Sequence, residues 1–169
     1  MKSVVLKELC DAIEWMNHSD IVTIAQEIKR AKRIFVWGLG RSGLAGRAFA
    51  IRLCHLGKQA YFIGDLCPPI SAGDLLLIIS SSGKKKMLFP PITAARKAGG
   101  RILSVTTGEN RLRKVSDAAI ALRLPSSVQF AGSLFEQAAF ILLEEAVHFY
   151  RKKQHIPFSV MEKNHANWE

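Results

Sequence analysis

A chain of 169 residues, 49% of them hydrophobic, can bury one ample core, and its apolar runs are broken by charges well short of the roughly 20 residues that span a bilayer. A single domain over residues 1–169 is therefore expected, and a start of Met1-Lys2-Ser3 without a cleavable signal pattern places it in the cytoplasm, with no membrane partner. The formal charge of +10 gathers at Lys84-Lys85-Lys86, residues 111–114 and Arg151-Lys152-Lys153. Such runs read as solvated faces that also attract phosphorylated metabolites, and without zinc-finger spacing, an aromatic RNP run or a basic heptad region no specific nucleic-acid recognition is expected.

In chain order, residues 3–16 and 20–31 carry apolar residues at helical spacing (Val4, Val5, Leu9, Ile13, Trp15; Ile21, Ile24, Ala25, Ile28), with Ser19 or Asp20 as the cap of the second helix. Strand and helix then alternate: strand 33–38, helix 42–56, strand 60–64, strand 75–80, loop 84–89, and a helix beginning at Pro90 or Pro91, since proline suits a first helical turn. Gly99-Gly100 ends that helix. Strand 101–106, a short helix 109–115, strand 118–124, a long apolar helix 133–150 and a tail 152–169 complete the chain. Residues 34–37, 75–79, 102–105 and 119–122 are continuous apolar runs, as strands covered on both faces are. The alternation predicts an α/β fold: a three-layer α/β/α sandwich on a mainly parallel sheet, with ligands held outside the carboxyl ends of the strands.

The residues that follow those strands are glycines and hydroxyls. Gly38-Leu39-Gly40-Arg41-Ser42-Gly43 closes the first strand and opens a helix, so its backbone can bend tightly toward an anion that the helix N-terminus attracts. Ser80, Ser81, Ser82 and Gly83 form a second turn, and the two turns together can hold one phosphate by hydroxyls and backbone N–H groups. Asp65, about 20 residues beyond the glycine turn, stands where dinucleotide-binding folds place a ribose-binding acid, so a nicotinamide cofactor competes with this reading. Glu136, in the first turn of the last long helix, is either an acid–base group or, with Ser133, one half of a capping box. His18, His55, His148 and His155 have no metal-ligand spacing, and Cys10, Cys54 and Cys67 read as small apolar residues, so neither a metal nor a cofactor is predicted.

Taken in order, these segments resemble the SIS (sugar isomerase) domain family, and within it the 6-phospho-3-hexuloisomerases. The resemblance rests on the glycine turn 38–43, the Arg-x-x-His-Leu-Gly run at 52–57, Gly64-Asp65 with nearby proline, the serine turn 80–83, Gly132-Ser133-Leu134-Phe135-Glu136-Gln137 and the tail His165-Ala166-Asn167-Trp168-Glu169. It implies a five-stranded flavodoxin-like sheet and conversion of 3-hexulose 6-phosphate to fructose 6-phosphate, the step after formaldehyde is fixed onto ribulose 5-phosphate. It further implies that Gly40, Ser42, Ser80, Ser82 and Gly83 hold the phosphate, with Arg41 near the substrate and Glu136 as the acid–base group. His165, on a tail that can reach a neighbouring subunit of a homotetramer, would assist at the substrate oxygens.

Three departures stand against that pattern. Ser81 replaces a glycine and Lys84-Lys85 replace an acid and a hydroxyl, so Lys85 either serves the phosphate as a point charge or belongs to a reshaped loop without activity. Pro90-Pro91 interrupt a helix that the family runs smoothly, and the connection 124–132 is shorter than in many relatives. A noncatalytic phosphosugar-binding or regulatory module is the alternative that these departures motivate. The helix 133–150 is apolar around more of its circumference than one sheet face needs, which makes a homo-oligomer plausible.

Overall fold

Among the described residues, five short strands lie parallel in the order β2-β1-β3-β4-β5: β1 Ile34–Gly38, β2 Ala60–Phe62, β3 Leu75–Ile79, β4 Arg101–Thr106 and β5 Ala118–Ala121. The computed structural model describes residues 3–168; Met1 and Lys2 of the start motif and Glu169 of the tail motif lie outside the described residues. The helices are α1 Val4–Glu14, α2 His18–Arg30, α3 Gly40–His55, α4 Phe89–Lys97, α5 Arg111–Val115, α6 Ser133–Lys153 and α7 Phe158–Lys163.

The period-two alternation of strand side chains sorts the core into two clusters. Ile34, Val36, Leu75, Leu77, Leu103, Val105 and Ile120 face one way and pack under Ala12, Ile24, Ile28, Phe49, Leu53, Leu142 and Leu143 of α1, α2, α3 and α6. Phe35, Leu76, Ile78 and Ile102 face the other way, under Leu88, Ile92 and Ala95 of the α4 region and Leu112 of α5. The result is the expected α/β/α arrangement, in which β3 is buried along its whole length. Its 2-1-3-4-5 order is the flavodoxin-like one and differs from the strand order of dinucleotide-binding folds. No described helix is long and apolar enough to cross a membrane.

Several boundaries differ from expectation. The second helix starts at His18 after Asn17, so Ser19 and Asp20 lie inside its first turn and neither caps it. The 84–89 segment is not wholly loop: a 3-10 turn spans Lys86–Leu88, and Phe89 begins α4 with Pro90 and Pro91 in its first turn. The tail is partly helical, since α6 runs on to Lys153 and α7 follows. Cys10 and Cys54 are exposed rather than part of the core.

Candidate active site

Parallel register brings two turns side by side. Gly38 is the partner of Ile79 and Ile79 is the partner of Val105, so the glycine turn, the serine turn and Thr106-Thr107 leave adjacent strands at the same end of the sheet, one strand spacing of about 4.8 Å apart. The glycine turn is tight because it has to be: a Cβ on Gly43 would lie 2.5 Å from the Gly38 carbonyl oxygen, and one on Gly38 would lie 3.0 Å from the Ile79 oxygen. The turn delivers Ser42 into the first turn of α3, whose N-terminus has no side-chain cap and no acidic residue, so its leading N–H groups and dipole favour an anion.

The serine turn is held from behind. The Ser81 carbonyl accepts hydrogen bonds from Thr106 Oγ1 (2.9 Å), Thr107 Oγ1 (2.9 Å) and the Thr107 N–H (3.1 Å). Gly83, at φ +60°, abuts the Asn110 side chain, whose amide donates to Thr106 Oγ1 (2.7 Å) and the Thr107 carbonyl (2.9 Å). Ser80 Oγ accepts from the Gly83 N–H (3.3 Å) and Ser82 Oγ accepts from the Lys84 N–H (3.4 Å). Each hydroxyl therefore retains its own O–H for an incoming acceptor such as a phosphate oxygen. Thr106 and Thr107 follow the fourth expected strand, where a strand-end site draws its residues; Asn110 is the support that no pattern in the sequence marks.

Glu136 reaches the same end from α6. Ala131 (φ 53°) and Gly132 (φ 77°) turn the chain through left-handed conformations, so that Ser133 Oγ donates to the Phe130 carbonyl (2.7 Å) rather than capping the helix. The capping box is thus absent. Glu136 Oε1 instead forms an ion pair with Arg41 Nε of the glycine turn, in a geometry that is not an aligned hydrogen bond. Both residues line a cavity of about 450 Å³ walled by Leu9, Leu44, Phe140 and Ile141. The Gln137 amide oxygen is also buried without a hydrogen-bond partner there, a second polar atom awaiting a donor.

Other candidates fall elsewhere. Lys84, Lys85 and Lys86 are exposed beside the serine turn, in no ion pair among the described residues. This segment is bracketed by the Trp37 Nε1–H bond to the Met87 carbonyl (3.1 Å) and by Arg111 stacked 4.0 Å over Phe89. Asp65 is engaged by Arg47, which itself lies over Phe62. His165 is not brought to the strand tips within one chain: its ring packs 5.0 Å from that of His55, at the opposite end of α3 from Ser42, about 20 Å along a helix axis. Among the described residues no cluster of three or more His, Cys, Asp or Glu could hold a metal ion.

Known proteins share the sequence pattern and the fold of this chain. A model of the SIS domain matches residues 27–141. The 3-hexulose-6-phosphate isomerase of Mycobacterium gastri is 34% identical, over 99% of this chain and 89% of that protein. The protein of the same name from Methanocaldococcus jannaschii is 32% identical, over 97% of this chain and 91% of that one. A crystal structure of a hypothetical protein from Methanococcus jannaschii, described as inferring a 3-hexulose-6-phosphate isomerase function, superposes with a TM-score of 0.89 at 29% identity, covering 96% of this chain and 97% of that one.

Proposed function

This chain belongs to the SIS domain family, and on that premise we propose that it is a sugar-phosphate isomerase converting 3-hexulose 6-phosphate to fructose 6-phosphate. The single observation that carries the site assignment is the meeting of Glu136 with Arg41: it sets a carboxylate from α6 against the turn that is built to receive an anion.

In this reading the phosphate rests on Gly40, Ser42, Ser80, Ser82 and Gly83, between the first turn of α3 and the serine turn, with Lys85 adding positive charge from the rim. Arg41 lies over the sugar end. The substrate carries its carbonyl at C3 and a hydroxyl at C2. Glu136 removes the C2 proton, the C–H electron pair forms the C2–C3 double bond of an enediol, and the C3 oxygen takes up a proton. Return of the proton from Glu136 to C3, with loss of the O2 proton, leaves the carbonyl at C2 and the carboxylate restored. General acid–base transfer of this kind contributes about 10²–10⁴-fold to a rate. Arg41 stabilises the negative charge that develops on the enediol oxygens, and substrate hydroxyls satisfy the buried oxygen of Gln137.

His165 serves the O2 and O3 protons from a neighbouring subunit, because its own chain holds it at the far end of α3. The reading therefore includes a homotetramer, and a place in formaldehyde assimilation after condensation with ribulose 5-phosphate. The assay is direct: the purified protein is given 3-hexulose 6-phosphate and fructose 6-phosphate is followed. Turnover with solvent deuterium appearing at C3 of the product is expected. Binding of fructose 6-phosphate without turnover would favour a noncatalytic module. Mixing Glu136→Gln and His165→Ala proteins should restore activity if the two groups act across subunits.

A further inference from the structure

Glu8 is the one deeply buried carboxylate that no cation accompanies among the described residues. Only 7% of it is exposed, midway along α1 and far in sequence from anything catalytic. An isolated buried carboxylate is strongly disfavoured unless donors surround it. Here three do: Ser127 Oγ donates to Oε2 (2.6 Å), the Val128 N–H to Oε1 (2.8 Å) and Gln129 Nε2 to Oε2 (3.0 Å). Those hydrogen bonds, led by that of Ser127, hold the carboxyl below its usual range against the opposing effect of burial.

All three donors come from consecutive residues of one segment, the connection 124–132. This connection pairs with no strand, and Ser126, Ser127, Val128, Phe130, Ala131 and Gly132 are exposed. It nevertheless has an exacting task. Immediately after Gln129 the chain passes through the left-handed Ala131 and Gly132, Ser133 Oγ closes on the Phe130 carbonyl, and the next helical turn presents Glu136 to Arg41. The left-handed conformation of Ala131 is strained and persists only where its surroundings over-determine it. Glu8 holds the three residues that lead into this turn, and its neighbour Leu9 walls the cavity that Glu136 shares.

We propose that Glu8 is a positioning residue of the isomerase: by gripping residues 127–129 it fixes the entry into α6 and thereby the aim of the Glu136 carboxylate. The inference rests on the isomerase reading for its kinetic consequence and on hydrogen bonding alone for its structural one. The test compares Glu8→Ala and Glu8→Gln, each checked for an intact circular dichroism spectrum and assayed well below its Tm. Glu8→Ala should lower kcat about 10–100-fold, the scale of an ångström-sized misplacement, with KM for 3-hexulose 6-phosphate nearly unchanged. Amide exchange at residues 127–135 should accelerate. Glu8→Gln, which keeps an acceptor for the Val128 N–H, should recover much of kcat. If Glu8→Ala fails to fold, Ser127→Ala removes the shortest of the three bonds and carries the same test at smaller amplitude.

A folded variant with unchanged kcat, a loss confined to KM, or unaltered exchange at 127–135 would overturn the proposal. Absence of turnover in the unaltered protein counts against the isomerase reading alone; Glu8 is then judged by exchange, where equal protection overturns it.

Discussion

The two ends of the same sheet treat charge in opposite ways. At the amino end the buried acids Glu27 and Asp74 and the more exposed Asp117 are all satisfied. Arg33 clamps Asp74 with two hydrogen bonds (3.1 and 2.6 Å), Ser71 adds its N–H (2.7 Å) and hydroxyl (3.1 Å), Arg101 grips Glu27 in bidentate fashion (2.9 and 3.0 Å), and Asp117 binds Arg96 (2.7 Å) and the Ile102 N–H (2.7 Å). At the carboxyl end the hydroxyls of Ser80 and Ser82 keep their hydrogens, the lysines of the rim lack acidic partners among the described residues, and oxygens of Glu136 and Gln137 are buried without hydrogen bonds. One end is finished by folding; the other keeps the groups that the proposed reading gives to a ligand. A fold that must bind holds such unsatisfied groups in place by satisfying others elsewhere.

The contrast breaks most visibly at Glu136. Glu136→Gln should reduce kcat by about 10²–10⁴-fold while leaving Tm and fructose 6-phosphate binding nearly intact, as calorimetry and steady-state kinetics would show; full turnover would remove Glu136 from the chemistry. Next in size is the amino end. Asp74→Ala strands Arg33 and should lower Tm by many degrees with kcat of the folded protein unchanged.

Acid probes the same network. Burial pushes the Asp74 and Asp117 carboxyls up, but the hydrogen bonds and charges of Arg33 with Ser71, and of Arg96 with the Ile102 N–H, bring both below the ordinary value. A depressed folded pKa means that the stabilisation is complete above the unfolded value of about 3.9 and is lost as the pH falls through and below it. Thermal melts should therefore hold level from neutrality down to about pH 5 and drop steeply at lower pH, and Asp74→Ala should flatten that drop.

Gly83→Ala sharpens the comparison by harming both properties at once. A side chain there meets Asn110 and is forced to φ +60°, strain of about 1–3 kcal/mol that should lower Tm and raise KM together. The smallest effect is expected for Lys84→Gln with Lys85→Gln. KM should rise a few-fold at low salt and lose most of its salt dependence, as exposed charges do; an unchanged salt profile would exclude the rim from phosphate capture.

Much of this was legible in the chain because it is local. Continuous apolar runs marked the central strands, Gly38 to Gly43 marked the tight turn, and Pro90-Pro91 marked a helix start. Helix ends were less so: Ser19 and Asp20 look like caps, yet α2 begins at His18, because packing of Ile24 and Ile28 against the sheet and α6 sets its extent and the exposed end hydrates without a cap. Ser133 with Glu136 likewise fits a capping box, and only the left-handed turn at 131–132 turns the hydroxyl to Phe130 and leaves the carboxylate to Arg41.

By itself, then, the sequence determined the layered α/β/α sheet and the two glycine- and hydroxyl-rich turns at its strand ends, since hydrophobic period and glycine sterics act over a few neighbouring residues. The tertiary structure alone decided that Glu136 faces Arg41, that His165 lies a helix length away from Ser42, and that Glu8 grips residues 127–129. Those relations join segments far apart in the chain, and they are fixed by the rigid lengths and packing directions of α1, α3 and α6, which no local pattern of residues encodes.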